Sequence, residues 1–153
     1  MYYYYILNKM SKKYSDLVFG KLKEVEIKEI LEQYFNTKLN TSSKYNLIDF
    51  YNDDIYIELK SRRNTYQKYN TTIIGSNKID YVKTLNKKCY FVFYHLDGLY
   101  YIEYSNIFDS FDLCEEYIYR DGKKELKTNY HIPIECLKRI NVTVSIQSLR
   151  VDI

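Results

Sequence analysis

The sequence predicts a single domain of mixed α/β class, and three observations carry that prediction. Between Ser15 and Phe35 the apolar residues Val18, Phe19, Leu22, Ile27, Ile30, Leu31 and Tyr34 recur at three- and four-residue steps, as on one face of a helix. From Leu47 onward the period shortens to two, with Ile55, Ile57 and Leu59 alternating with Tyr56, Glu58 and Lys60. Cys89 to His95 (CYFVFYH) is apolar on both faces, which is the pattern of a central strand.

In chain order, residues 2–7 suit a short strand or a tyrosine-rich arm, and the long helix follows over Ser15 to Phe35. Asn36 to Lys44 is polar and reads as a loop, with room for a short strand. Leu47 to Tyr51 and Ile55 to Lys60 form two strands joined by the turn Asn52-Asp53-Asp54. Ser61 to Asn70 is polar and basic, as in a surface loop, and Ser76 is placed to cap a helix over Asn77 to Leu85. Asp97-Gly98 is a hairpin signal after the central strand, and Leu99 to Tyr104 returns as its partner. Beyond that come a helical turn at Asn106 to Asp112 and a hairpin of Glu116 to Arg120 with Glu125 to Ile134 about Asp121-Gly122. A short helix over Glu135 to Ile140 and a strand-like stretch from Val142 to Ile153 complete the reading. No repeat or linker divides the 153 residues, so one domain spans 1–153.

Composition narrows the function classes. With 46% hydrophobic and 28% charged residues the chain can bury a core, which excludes a disordered tail. A net charge of +3 permits a nucleic-acid partner without requiring one. Cys89, Cys114 and Cys136 are odd in number and contain no Cys-x-x-Cys pair, which points to a reduced, intracellular setting, cytoplasmic or nuclear. Cys136 and His131 belong to no tetrahedral zinc pattern. The start MYYYYILNKMSKK has its basic residues after a brief apolar run, the wrong order for a secretory signal, and no stretch approaches a membrane span. The 20 tyrosines, with abundant Asn, Ile and Lys, suit an AT-rich coding genome such as those of large DNA viruses and some mobile elements.

The chemistry concentrates in NLIDFYNDDIYIELKSRR, Asn46 to Arg63. Strand alternation puts Tyr56, Glu58 and Lys60 on one face, and the preceding strand can set Asp49 beside them. Clustered carboxylates repel unless a cation lies between them, and magnesium accepts a few protein oxygens while keeping its waters. An acid, any residue and a lysine occur four times: Glu26 to Lys28, Glu58 to Lys60, Asp121 to Lys123 and Glu125 to Lys127. Only the second stands on an apolar strand with an acid on the strand before it.

Asp49, a short interval, then Glu58-Leu59-Lys60 at the end of an apolar strand resembles the signature of the PD-(D/E)XK nuclease superfamily, with Ile48 in place of the usual proline. Upstream, Gly20, Glu24, Glu26-Ile27 and Ile30-Leu31-Glu32 resemble the first helix of the archaeal-type Holliday-junction resolvases within it. The resemblance covers about residues 15–104. It implies a restriction-endonuclease-like αβββαβ core, a mixed sheet flanked by helices, with 105–153 as an extension carrying an additional hairpin. It also implies a magnesium-dependent endonuclease, with manganese as a substitute, acting on DNA, branched or recombination and repair intermediates among the candidates. The alternative is a catalytically inactive nuclease fold serving as a nucleic-acid-binding or assembly module.

On this resemblance Asp49 and Glu58 hold the metal, Leu59 adds its carbonyl, and Glu24 or Glu26 contributes from the helix. Lys60 orients or deprotonates the attacking water. On a helical wheel Glu26 falls among the apolar positions, Glu24 lies off their centre, and Glu29 and Glu32 read as solvated charges. From Lys60 to Lys88 eight basic residues face one acid, Asp80, so that Arg62, Arg63, Lys68, Lys78 and Lys83 become candidates for phosphate contacts. A solvated face on a lysine-rich protein accounts for the same cluster. Tyr56, Tyr66 and Tyr69 could stack bases of a single strand, and His95 and His131 read as structural. Enzymes of this size often pair to cut two strands, so a homodimer is an open expectation, and no membrane partner is expected.

Overall fold

The structure, a computed structural model, describes residues 24, 27–43, 46 and 48–141. The strand expected at 2–7, the first half of the long helix, Glu26, Leu47 and the stretch Val142 to Ile153 lie outside the described residues. The described residues form a mixed α/β structure with two sheets and two helices.

Helix α1 comprises Glu24 and residues 27–34, and it stops at Asn36, whose φ of 51° is left-handed. There Thr37 N–H donates to Glu32 O at 3.0 Å and Asn36 N–H to Gln33 O at 3.3 Å, which satisfies the last carbonyls of the helix. Strands β1 (Asn40–Thr41), β2 (Phe50–Tyr51) and β3 (Ile55–Ser61) follow, then β4 (Thr71–Gly75) and helix α2 (Ser76–Lys83). β5 (Lys88–His95) and β6 (Gly98–Glu103) precede a 3-10 turn at Asn106–Ser110. β7 (Asp112–Arg120), β8 (Lys123–Pro133), a 3-10 turn at Ile134–Cys136 and β9 (Lys138–Arg139) complete the described chain.

The larger sheet has strand order β1-β2-β3-β5-β6-β9. β3 pairs antiparallel with β2 and parallel with β5, and β5 pairs antiparallel with β6. A parallel neighbour demands a crossover, and here β4 and α2 supply it. β5 is buried on both faces because each face has its own core. Val92 and Tyr94 join Ile57, Leu59, Ile27 and Leu31 on the α1 side, while Phe91 and Phe93 join Ile74, Ile79, Val82 and Ile132 on the other. The alternation of Ile55, Ile57 and Leu59 therefore points toward α1, as their spacing requires.

Three local expectations are corrected. Ser76 is not the cap of α2: Gly75 occupies the N-cap position and makes no side-chain cap bond, because β4 runs straight into the helix. β4 follows the polar loop Ser61 to Asn70, at residues to which the sequence assigned no element, and it forms a second sheet of order β4-β8-β7 with the hairpin turning at Asp121 (φ 51°) and Gly122 (φ 74°). Both turn residues are left-handed, the geometry that joins twisted strands with a two-residue loop. Glu135 to Ile140 is not a helix. After one 3-10 turn the chain extends into β9, which pairs with β6 through Tyr100↔Arg139 and Tyr101↔Lys138. Leu137 and Ile140 then enter opposite cores, whereas a helix would put residues three apart on one face.

Ile57 is fully buried at the centre of the α1-side core. Ile57→Ala is expected to cost about 2–5 kcal/mol. By contrast, Tyr119→Ser, on an exposed position of β7, should stay within about 0.5 kcal/mol. Urea midpoints of the two variants, at unchanged m-value, check both figures.

Candidate active site

The site is set by the β2–β3 hairpin. Asn52 Oδ1 accepts from Asp54 N–H at 2.8 Å and from Ile55 N–H at 2.9 Å, so the turn is built by a side chain acting as a backbone mimic. Asn52 Nδ2 donates to Thr37 Oγ1 and to Lys38 O, and Lys87 Nζ donates to Asn52 O, which ties the turn to the chain on either side. The register Phe50↔Ile57 and Tyr51↔Tyr56, carried one residue further, sets Asp49 opposite Glu58.

Asp49 leaves the ladder with its side chain in place of its carbonyl. Its N–H donates to Ile57 O at 3.1 Å, and its Oδ2 accepts from Leu59 N–H at 2.7 Å. Glu58 points into the α2 side of the sheet with 2% of its side chain exposed. Its Oε1 meets two ammonium groups, Lys60 Nζ at 2.8 Å and Lys78 Nζ at 3.0 Å. Its Oε2 is buried and has no hydrogen-bond partner among the described residues. A buried carboxylate is tolerated only when paired, and one of its oxygens here carries both pairings.

Asp49 is perturbed more strongly. Burial, then the neighbouring charges of Glu58 and Glu24, push its carboxyl up to about 8, against the lowering effect of the Leu59 N–H. A hydrogen bond between the Asp49 and Glu24 carboxyls adds to the rise. Near neutral pH, Asp49 therefore holds a proton that Glu24 can accept in a hydrogen bond. Although the three acids act on one another, no group of three His, Cys, Asp or Glu side chains able to hold a metal ion occurs among the described residues. The donor set still suits a hard divalent cation: Asp49 and Glu58 supply carboxylate oxygens, one of them bare and buried, and magnesium fills its other positions with water.

The hairpin and helix thus bring Glu24, Asp49, Glu58 and Lys60 together, and Leu59 joins them through its backbone N–H. The basic candidates separate. Lys78 sits on Glu58, a role that its placement among the phosphate-contact candidates did not reveal. A signal existed: Lys78 lies in the first turn of α2, which has no acid, where the helix dipole disfavours a cation. Arg62 is half-buried, with Nη2 donating to Ile73 O at 2.7 Å and its guanidinium over the Phe93 ring. Burial lowers it to about 10. Arg63 and Lys68 are exposed on the loop after β3. Lys83 lies at the far end of α2, where Tyr130, Tyr104, Asp109 and Asp80 raise it. Glu32, read as a solvated charge, is half-buried and accepts from Leu39 N–H at 2.9 Å. Tyr56 stacks on Tyr51 under Lys87 and serves packing, while Tyr66 and Tyr69 line one cleft.

Among the described residues no helix is long and apolar enough to cross a membrane. Comparison with protein-family models, with curated proteins and with solved structures finds no match to this chain.

Because Asp49 binds its proton more tightly in the folded protein than in the unfolded chain, folding takes up a proton between pH 4 and 8. The metal-free protein is therefore expected to lose stability as pH rises through that window and to level off above about 8. Asp49→Asn keeps an acceptor for Leu59 N–H and removes the charge. Thermal melts in EDTA should show that variant more stable than wild type at pH 9, by about 1–3 kcal/mol, with the pH slope flattened. Parallel melting curves for the two proteins across the window would refute the assignment.

Proposed function

We propose that the protein is a divalent-metal-dependent endonuclease that hydrolyses phosphodiester bonds in DNA, on a restriction-endonuclease-like core. The observation that carries this reading is the buried Glu58, with two lysines on one oxygen and none on the other, set across the hairpin from a protonated Asp49. Such a cluster is a costly thing to bury unless charge arrives from outside. Asp49 and Glu58 would hold magnesium or manganese, with Glu24 and the Leu59 carbonyl as further ligands. When bound, the ion polarises the phosphate and lowers the pKa of the attacking water.

The chain's own groups do the rest. Lys60 keeps 30% of its side chain exposed while anchored on Glu58, so its ammonium can face a phosphate oxygen or the attacking water. Lys78, anchored on the same oxygen, keeps a second positive charge beside the reacting centre. To hold a cation Asp49 would have to give up its proton, so metal affinity would rise with pH. Arg63 and Lys68, exposed on the loop that follows β3, would hold the substrate backbone.

One observation favours a second reading. With Lys60 and Lys78 both on Glu58 the cluster is partly neutralised without metal, and a nucleic-acid-binding or assembly module without turnover would look the same. Incubation with supercoiled, linear, single-stranded and branched DNA, with and without magnesium or manganese, separates the two. Cleavage that requires metal is expected, falling about 10²–10⁴-fold in Lys60→Ala at a temperature where the variant is still folded by circular dichroism. Asp49→Asn should be equally impaired. Cleavage that survives both substitutions would remove the proposal, and metal-independent binding without cleavage would select the second reading.

A further inference from the structure

A cleft of about 370 Å³ opens beside the candidate active site, lined by Arg62, Asn64, Tyr66, Tyr69, His95 and His131 among others. Arg62 follows Lys60 by two residues and continues the β3 ladder through its N–H to Tyr94 O at 2.7 Å. Two residues of extended chain span roughly 6.6 Å, and alternation puts Glu58, Lys60 and Arg62 on one face. The cleft is therefore the next compartment along the strand that carries the site.

His95 is 4% exposed, and its Nδ1 lies 3.2 Å from Asn64 O and 3.1 Å from Asn64 Oδ1. Nδ1 must carry the proton to satisfy the Asn64 carbonyl, which leaves Nε2 as a lone-pair acceptor. That acceptor is buried without a partner among the described residues. Burial holds the ring neutral, helped by the Arg62 charge and opposed by the Asn64 carbonyl and Asp97. Beside it Arg62 spends one donor on Ile73 O, and a guanidinium fork carries five. Tyr66 is a rigid wall, stacked on Tyr100 at 4.0 Å between ring centroids and bonded through its hydroxyl to Ile134 O. Tyr69 is 58% exposed, with Lys68 Nζ 5.5 Å from its ring centroid.

A donor, an adjacent neutral acceptor and aromatic walls select the ligand class. An anion would gain from Arg62 but would meet the lone pair of His95. A planar neutral ring with both N–H and acceptor atoms on its edge satisfies both, and the volume, at the low end for small-ligand sites, matches one such ring with its sugar. We propose that the cleft takes one unpaired nucleobase of a DNA strand, so that the substrate is single-stranded or locally unpaired DNA. The placement of the adjoining phosphate at Lys60 rests on the nuclease reading; capture of the base does not.

Anisotropy measurements in EDTA test it, using a labelled duplex with one bulged base and the same duplex with an abasic residue in the bulge. The bulged base should bind about ten-fold tighter, the scale of one base–aromatic stack. Tyr69→Ala, an exposed substitution with little risk to folding, should bring both ligands to one affinity. His95→Phe should do the same, and Lys60→Ala should keep the preference. Equal affinity of wild type for base and abasic ligand overturns the inference, whether or not the protein cuts DNA. A preference for the base in a protein that never cleaves upholds it and removes the nuclease reading instead.

Discussion

A carboxylate buried on the inner face of a sheet cannot stand alone, and Glu58 dictates much of what surrounds it. Two ammonium groups from different elements converge on its Oε1, one from β3 itself and one from the first turn of α2. Lys78 can reach it only if the crossover after β3 brings α2 back over that face, so the parallel β3–β5 pairing and the charge balance of the site depend on each other. The remaining oxygen has no partner among the described residues, and the carboxyl opposite is kept protonated. The cluster is thus balanced unevenly: both ammonium groups sit on one oxygen of Glu58, and the other oxygen is buried without a partner among the described residues.

The hairpin that presents the cluster is unusually well anchored for so short a ladder. β2 contributes two paired residues, yet Asn52 stitches the turn to the chain after α1 and Asp49 extends the pairing with its side chain. Asp49 is thereby held twice, by its own N–H and by the Leu59 N–H, and cannot swing away from Glu58 to relieve the repulsion. The raised affinity of Asp49 for a proton comes first from burial and then from the neighbouring charges of Glu58 and Glu24, and this anchoring keeps the carboxyl among them.

The second sheet gives the other half of the surface its shape. β4 and β8 put His131 next to Thr71, with Nδ1 and Oγ1 at 3.2 Å, and β7 brings Glu116 to the other ring nitrogen. These contacts frame one side of the cleft that Arg62 and His95 line from the larger sheet. The cleft begins at Arg62, the residue after β3, the strand that carries Glu58 and Lys60.

How far the residues spoke for themselves depended on whether the interaction was local. Ile55, Ile57 and Leu59 alternate, so their burial and the exposure of the opposite face to Asp49 followed from a period of two. Asp121-Gly122 marked its hairpin because both turn positions are left-handed and so restrict residue type, whereas the β5–β6 hairpin turns through Leu96-Asp97 with Gly98 already paired to His95. Glu135 to Ile140 misled because a six-residue apolar spacing suits either a helix or a strand, and only the waiting edge of β6 chose between them. Thr71 to Gly75 opens with four β-branched residues, a strand signal too short to name a partner, and that partner, β8, lies far along the chain. In the same way Lys78, Arg62 and His95 gained their roles from residues distant in sequence: Glu58, Ile73 and Asn64. Sequence by itself determined the alternating strands, the turns and the acid–lysine hairpin, all set by neighbours within a few residues. Tertiary structure alone decided which cations neutralise Glu58 and which polar groups share the cleft, because burial and charge pairing are properties of the packed chain.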